Sequence, residues 1–171
     1  MNMTQKKTGF TIVEMLMALV ILAMLMTAVA VAFDASVTNF QVNEGISKTM
    51  NTARAALLRI TTELRTAQGV AIIGTGGDPD NTQCSLIASD GRNITYRYSA
   101  DERILYLDDN TSGNSYALCR NVNGVTFNRA LVPASSPAAI RNVRILLSVE
   151  DDLGKVNQTL AAAAVVRRNL N

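Results

Sequence analysis

The sequence contains no histidine and no tryptophan, and it has few aromatic residues of any kind. Without histidine, the chain has no imidazole to act as a general base near neutral pH or to ligate a metal. Aromatic residues make up 5% of the chain, which is too few for electron conduction along stacked rings. No pattern joins a nucleophile to a base, so an enzyme is the least favoured class of function.

A strong excess of charge of one sign is missing too, since 16 basic residues face 14 acidic ones and the net charge is +2. Nucleic-acid-binding surfaces combine a basic stripe with interleaved aromatic residues. Arg141 and Arg144 are too few to form such a stripe. We therefore expect no nucleic-acid partner.

What the sequence does have is a long apolar run near its start. From Met15 to Phe33 every residue is apolar or small except Thr27, and about 20 such residues span the hydrocarbon core of a bilayer as a helix. Lys6 and Lys7 precede the run, and no basic residue follows it before Lys48. This distribution predicts a single membrane pass with a cytoplasmic N-terminus and an exported C-terminal part.

A cleaved secretory signal is the alternative interpretation of this run. The segment has a basic start, an apolar stretch and the A-x-A pattern of a signal peptidase site at Ala28 to Ala30. Its apolar part is longer than the roughly 7–15 residues of such signals, and a signal peptide does not account for Glu14. Retention in the membrane is therefore favoured.

Glu14 is the carboxylate at the start of the apolar run, five residues after Gly9. An acidic residue inside a spanning helix costs on the order of 2.5–3.5 kcal/mol on insertion scales, so it usually has a partner and a function. No Lys or Arg lies between Phe10 and Asn43, and the one available cation would be an α-amino group made by cutting the chain before Phe10. The residues alone leave two alternatives, a paired carboxylate and an interfacial one that faces lipid headgroups.

The segment Lys6-Lys7-Thr8-Gly9-Phe10-Thr11-Ile12-Val13-Glu14 resembles the signal of type IV prepilins and type II secretion pseudopilins. The resemblance implies that a prepilin peptidase removes residues 1–9 by cutting after Gly9 and then methylates the new N-terminus at Phe10. It implies that Glu14 pairs with the Phe10 amine of a neighbouring subunit, because an unpaired charge is penalised in low dielectric.

The same resemblance implies where the protein resides and what it contacts. The chain would sit in the inner membrane with its head in the periplasm, and would then enter a pilus or pseudopilus filament. Its partners would be the prepilin peptidase, other pilin or pseudopilin subunits, an inner-membrane assembly platform and membrane lipid. No cofactor is implied.

Beyond the membrane segment, residues 10–33, the sequence predicts that the helix continues over 34–68. Arg59 and Glu63 are spaced for an ion pair at i, i+4. Apolar residues recur at spacings of three and four and form one stripe that would face a core; they are Val42, Ile46, Met50, Ala53, Leu57, Ile60, Leu64 and Ala67.

From residue 69 to residue 171 the spacing of apolar residues changes from the helical period to the period of two that is typical of strands, which predicts a β-rich head. Residues 74–81 predict a loop, and hairpins are predicted through Ser99 to Glu102 and at residues 151–154. A helix followed by antiparallel strands is an α+β order, and it matches the pilin plan of one long helix whose second half packs on an antiparallel sheet. The strand order and the ending Val166 to Leu170 also resemble J-type pseudopilins and W-type minor pilins.

Cys84 and Cys119 are the only cysteines, and both fall in predicted strands on the exported side, where disulfides persist. A bond between them would close a loop of about 35 residues and contribute roughly 3.5–4 kcal/mol in the chain-entropy model. The alternative is two unrelated buried thiols. Acidic turns at Asp78, Asp108 and Glu150 offer oxygen ligands, but none has EF-hand spacing, so no metal is expected.

The sequence therefore predicts a structural subunit, a minor pilin or pseudopilin that assembles into, primes or caps a type IV pilus or type II secretion pseudopilus. The alternative is an adhesin or ligand-binding minor pilin displayed on the filament, because loops such as 74–81 and 132–140 often carry recognition. Pilus, secretion and uptake filaments share the N-terminal segment, so the sequence does not choose between them.

Overall fold

The computed structural model describes residues 9–74, 76–131, 140–151, 154 and 156–166. One helix, α1, covers Ile12–Thr66, and eight strands follow it within the described part of the chain. The chain divides into two compact units, one up to Gln41 and one from Val42 onward, so α1 contributes to both. The predicted α+β architecture is confirmed, and it is consistent with a pilin-like fold.

In the first unit, α1 exposes nearly all of its side chains. Every side chain described from Gly9 to Gln41 is exposed except that of Thr38, which is half-buried. Between Met15 and Phe33 the helix is apolar on all sides rather than along one stripe, which is typical of a helix surrounded by lipid or by partner proteins. Among the described residues, α1 is the one helix long and apolar enough to cross a membrane, a criterion that signal sequences also meet.

In the second unit the same helix is buried along one side. The predicted stripe is confirmed from Ala53 onward, whereas Val42, Ile46 and Met50 before it are only half-buried. Arg59 Nε lies 3.3 Å from a carboxylate oxygen of Glu63, as the i, i+4 spacing predicts. The buried side chains of α1 are Thr49, Ala53, Ala56, Leu57, Ile60, Thr61 and Leu64.

Five antiparallel strands form the first sheet in the order β1-β2-β3-β4-β5. The turn between β2 and β3 contains Gly91 at a φ of 87°, which glycine adopts without steric cost. The predicted hairpin between β3 and β4 is confirmed, with Ser99 paired to Ile104. The strands are Gly69–Val70, Gln83–Ile87, Asn93–Ser99, Ile104–Asp109 and Asn114–Cys119.

Where the sequence predicts a single sheet, the structure divides the strands between two. The second sheet has the order β6-β7-β8, with strands Val122–Leu131, Ile140–Glu150 and Asn157–Val165. Asn121 has a φ of 57°, a left-handed conformation that asparagine adopts more readily than most residues. The chain therefore turns at this residue and β6 does not pair with β5.

The second sheet contains one irregularity and one predicted hairpin. Asn123 and Gly124 lie inside β6, where the register with β7 shifts between Val122 and Gly124. The hairpin at residues 151–154 is confirmed by the pairing of Glu150 with Asn157. The predicted loop at 132–137 lies outside the described residues, as does the chain after Val166.

One hydrophobic cluster joins α1 to both sheets. It includes Ile60 and Leu64 from the helix, Tyr96 from β3 and Phe127 from β6, and burying such side chains stabilises a fold by about 1.5–3 kcal/mol each. The Tyr96 hydroxyl donates a hydrogen bond to the Glu63 carboxylate. This bond attaches the second half of α1 to the first sheet.

Candidate functional site

The start of α1 holds Thr11 and Glu14 in a reciprocal hydrogen-bonded arrangement. The Glu14 amide donates to Thr11 Oγ1 at 3.2 Å. In return, Glu14 Oε2 accepts from the Thr11 amide at 3.0 Å and from the Thr11 hydroxyl at 3.1 Å. This is a capping box, in which Ser or Thr at the helix N-cap and Glu or Gln three residues later satisfy each other's amides. The T-x-x-E spacing of Thr11 and Glu14 signals this role, which was not among the predictions for Glu14.

The capping box determines where the Glu14 carboxylate lies. The side chain turns back toward the chain that enters the helix, so Oε2 contacts the amide that follows Phe10. Phe10 and Gly9 are both exposed, and a Cβ added at Gly9 would meet no atom within 4 Å. The peptide bond between Gly9 and Phe10 is therefore accessible, and the fold of the chain does not require a glycine there.

The described residues that flank Glu14 in the sequence include no cation. Between Phe10 and Gln41 the structure describes every residue, and none of them is Lys or Arg. The two hydrogen bonds that the Glu14 carboxylate accepts from Thr11 both end on Oε2, and no residue in the described ranges donates to Oε1. The carboxylate can therefore keep its cap and accept a second donor at the same time.

A family model described as the prokaryotic N-terminal methylation motif matches residues 4–30. This range contains the accessible Gly9–Phe10 bond, the capping box and most of the apolar run. This match supports the resemblance of the N-terminal segment to type IV prepilins and pseudopilins. The motif points to a family of structural proteins, and its presence implies processing by a prepilin peptidase and assembly with other pilins. No match was found among curated proteins or among solved structures.

The predicted disulfide is not formed, because Cys84 and Cys119 are both free, buried thiols. Cys84 lies on β2 and Cys119 ends β5, with β3 and β4 between them. Three strand spacings amount to about 14 Å across the sheet, whereas bonded cysteines have Cα atoms about 4.4–6.8 Å apart. The sequence predicts a strand at each cysteine, but it does not predict the order of the strands in the sheet. Burial raises the pKa of each thiol to about 11.

The carboxylates of two acidic residues in the acidic turns accept hydrogen bonds from the chain itself. Asp109 accepts from the amide of Thr111 at 3.0 Å, and Asp108 accepts from Arg97 Nε at 2.8 Å. In the part of the chain that the structure describes, no group of three or more Cys, Asp or Glu side chains is placed to hold a metal. These carboxylates stabilise turns and strand pairs.

A buried ion pair in the head is not visible in the sequence pattern. The side chains of Arg129 on β6 and Asp78 before β2 are each 2% exposed, and Arg129 Nη2 lies 2.5 Å from Asp78 Oδ2. The same Nη2 donates to the carbonyl of Gln83 at 2.6 Å. Asp78 also accepts from the Ser85 amide at 2.9 Å. These bonds attach the loop before β2 to the second sheet.

Gly77 allows the loop to place Asp78 inside the head. A Cβ at Gly77 would lie 2.0 Å from the carbonyl oxygen of Ile72, and the Asp78 amide donates to that same oxygen at 2.8 Å. Only glycine fits such a close approach of two backbone segments. The loop predicted over 74–81 therefore connects two elements at the surface and also positions the buried carboxylate of Asp78.

Proposed function

We propose that this chain is a subunit of a type IV pilus or a type II secretion pseudopilus, cleaved after Gly9 and methylated at Phe10. One observation carries the proposal: the methylation motif leads into a capped helix whose apolar side chains are exposed on all sides. Such a surface is stable only when lipid or other protein covers it. A subunit that moves from a membrane into a filament core meets both surroundings.

Processing would take place at the accessible end of α1. The cytoplasmic side of the membrane would hold residues 1–9, since the basic residues of the leader disfavour translocation. Cleavage after Gly9 turns the Phe10 nitrogen into an amine that is protonated at neutral pH. That amine becomes a cation in a segment that otherwise has none.

Glu14 would then serve two partners. In the free subunit its Oε2 caps α1 through Thr11, and in the filament its Oε1 would accept from the Phe10 amine of a neighbouring subunit. Hydrogen bonds between ionised groups are roughly twice as strong as neutral ones. Docking would therefore gain an ion pair in a low-dielectric bundle without losing the helix cap.

Two variants separate the charge of Glu14 from its capping role. Glutamine also forms capping boxes at this position, so Glu14→Gln keeps the cap and removes the charge. Thr11→Ala removes the side-chain cap and keeps the charge. If the ion pair recruits the subunit, Glu14→Gln should lower incorporation roughly 10- to 100-fold, the equivalent of about 1.5–3 kcal/mol for a charged hydrogen bond. Thr11→Ala should retain most incorporation.

The measurement is the amount of processed protein in the sheared filament fraction relative to the membrane pool. Mass analysis of both variants should show a chain that starts at Phe10 with one added methyl group. Normal incorporation of Glu14→Gln would contradict the docking role of the charge. A mature chain that starts at Val31 would instead identify a secretory signal and reject the filament proposal.

Within a filament we propose a minor subunit that primes or caps the assembly and that contacts the inner-membrane assembly platform. The second candidate is a filament-displayed adhesin or ligand-binding minor pilin. It is favoured by a cavity in the head that Arg129 lines. Quantifying this chain against the most abundant pilin in purified filaments tests the minor role, which predicts a ratio far below one.

A further inference from the structure

A cavity of about 330 Å³ in the head has α1 on one side and the end of β5 on the other. Both sides belong to the second compact unit. They lie inside stretches that the structure describes without a gap, residues 42–74 and 76–131. The chain is therefore described through the whole length of each wall. The lining residues are Gly45, Lys48, Thr49 and Thr52 on α1, and residues 117–121 at the end of β5 and just after it.

Thr49 contributes a buried hydroxyl that has no hydrogen-bond partner among the described residues. The residue is 8% exposed, and most polar groups at such positions are hydrogen-bonded. Thr52 and Thr61 on the same helix donate to the carbonyls four residues before them at 3.0 and 2.9 Å, whereas Thr49 does not. In the described chain, the fully enclosed side-chain nitrogen and oxygen atoms that lack a partner belong to Arg129. The Thr49 hydroxyl therefore keeps some accessible surface, and it can donate to a group in the cavity that it lines.

Two cations line the same cavity, and the described chain does not neutralise them. Lys48 and Arg120 are both exposed and form no ion pair with any described residue. Glu44 lies four residues before Lys48, a spacing that favours pairing, yet the two do not pair. The charge of Arg120 acts on the phenol of Tyr106, which bonds to Glu102. A phenol is uncharged at neutral pH, so this contact does not compensate the guanidinium.

The charge of the lining favours a ligand with two negative charges. No carboxylate is among the described residues that line the cavity. A phosphate monoester carries a charge of about −1.5 to −2 at pH 7 and has three strong acceptor oxygens. It therefore balances two cations better than a carboxylate or a phosphate diester, each of which carries one charge. The ammonium, the guanidinium and the hydroxyl offer one donor group for each of these oxygens.

The wall that β5 forms is irregular at the cavity. The register between β4 and β5 shifts at Leu105 and Tyr106, whose partners are Cys119 and Ala117. Leu118 is therefore the additional residue of a β-bulge. Bulges are over-represented at sheet edges and next to active sites, where they change the direction of nearby side chains. This bulge lies in the wall of the cavity, directly before Arg120 and the turn at Asn121.

The size of the cavity suits a small ligand. Sites that bury small molecules have volumes of about 300–1,000 Å³, and this cavity is at the lower end at about 330 Å³. Gly45 lies one helical turn before Thr49 and has no side chain to cover the hydroxyl. The volume therefore accommodates a phosphate group with a few attached atoms.

We propose that this cavity binds a phosphate monoester through Lys48, Thr49 and Arg120. A soluble phosphorylated molecule presents this chemistry, and so does a lipid headgroup that ends in a phosphate monoester. The site does not depend on the processing or docking of the N-terminus. It gives the head a recognition site of its own.

The test uses the processed full-length protein in maltoside micelles, which carry no phosphate, with glycerol 3-phosphate as the probe. The readout is the backbone amide resonances of Thr49 and Arg120 in nitrogen-15 NMR spectra, since these residues lie on opposite walls. Both resonances should shift together and saturate in the millimolar range, as expected for so few contacting atoms. Dimethyl phosphate and acetate carry one charge each and should bind roughly tenfold more weakly.

Variants at exposed positions keep the test independent of folding. Lys48→Gln and Arg120→Gln should each weaken binding of glycerol 3-phosphate roughly tenfold, because each removes a charged donor. Arg54→Gln is the matched control, since Arg54 is an exposed cation on α1 that does not line the cavity. Its affinity should stay within about twofold of that of the unmodified protein.

A second pair of variants tests the hydroxyl. Thr49→Val removes the proposed donor and keeps a similar shape, so binding should weaken several-fold. Thr61→Val is its control, because Thr61 is also buried on α1 but donates to the carbonyl of Leu57 and does not line the cavity. Thr61→Val should bind glycerol 3-phosphate as tightly as the unmodified protein.

Three results would overturn the proposal. The first is the absence of a saturable shift with glycerol 3-phosphate. The second is binding of acetate or dimethyl phosphate as tight as that of glycerol 3-phosphate, which would make this a site for monoanions. The third is equal weakening by Lys48→Gln and Arg54→Gln, because general attraction between charges would then explain the binding.

The two sources of the phosphate are distinguished by a lipid arm of the same experiment. The titration is repeated with the protein in lipid nanodiscs, with phosphatidic acid in one preparation and phosphatidylcholine alone in the other. Weaker binding of glycerol 3-phosphate in the discs that contain phosphatidic acid indicates that the lipid headgroup competes for the site. Equal binding in both preparations indicates a soluble ligand.

Discussion

The two halves of α1 share one backbone conformation and have opposite surroundings. Up to Gln41 its side chains are exposed with the partial exception of Thr38, and from Val42 onward one side is buried in the head. Helical hydrogen bonds join residues four positions apart, so the same backbone conformation can form in both surroundings. The difference lies in the pattern of apolar residues, which cover all sides of the first half and one side of the second. The first half must therefore find its partners outside the chain.

Polar contacts show the same division. In the first half, Thr27 donates its hydroxyl to the carbonyl of Met24, three residues earlier. In the second half, Glu63 accepts from Tyr96, which is 33 residues away. The first half is thus stabilised within itself and the second half by the sheets. Four experiments test or refine this contrast.

The largest effect should come from shortening a matched pair of isoleucines. Ile60 is 0% exposed and Ile21 is 55% exposed. Ile60→Ala should lower the free energy of unfolding of the head by about 2–5 kcal/mol, because it leaves a cavity in the core. Ile21→Ala should change it by less than about 0.5 kcal/mol. Urea unfolding followed by the tyrosine signal of the head measures both, and equal effects would contradict the contrast.

The two thiols report on the interior of the head. Burial raises the pKa of Cys84 and Cys119 to about 11, well above the ordinary value of a thiol. The thiolate is the reactive form, so alkylation of the native protein at pH 8 should be about a hundredfold slower than that of an exposed cysteine. Unfolding without reductant should then allow two alkyl groups to add, as mass spectrometry can show. No addition after unfolding would mean that the cysteines are bonded.

The next effect concerns the bond that joins the second half of α1 to β3. Tyr96→Phe keeps the buried ring and removes the donor to Glu63. The head should lose about 1.5–3 kcal/mol, as is usual for a hydrogen bond to a charged group. Tyr116→Phe is the control, since Tyr116 is exposed. The same urea unfolding compares them, and equal stability of the two variants would show that the Tyr96 bond does not stabilise the head.

The smallest effect should be the contribution of Asp108 to the pH dependence of stability. Partial burial raises the pKa of this carboxyl, but bonds from Arg97 and Ser115 outweigh it and hold the pKa below its ordinary value. A lowered pKa stabilises the fold above the unfolded value near 3.9, and that contribution is lost as the pH falls through the folded value. The pair with Arg97 is partly exposed, so less than about 1 kcal/mol is expected.

Asp108→Asn should therefore reduce the loss of stability between pH 6 and pH 3. Urea midpoints of the variant and of the unmodified protein at the two pH values give this difference. An unchanged difference would show that Asp108 does not contribute to the acid sensitivity of the head.

Contacts between residues close in sequence could be predicted, and contacts between distant residues could not. Arg59 and Glu63 lie about one helical turn apart, so their spacing alone predicts the ion pair that the structure shows. The capping box was equally local, and its signal was present but overlooked. The error over Cys84 and Cys119 came from strand order, which depends on long-range pairing rather than on the residues near each cysteine.

The sequence by itself determined that α1 is a helix, that its first half is apolar on all sides, and that strands follow it. These properties depend on the spacing of side chains along one segment, where the interacting groups are at most four residues apart. Tertiary structure alone decided the division into two sheets and the pairing of Arg129 with Asp78 across 51 residues. Such pairs form only after distant segments pack together, because a buried guanidinium needs partners that no local pattern supplies.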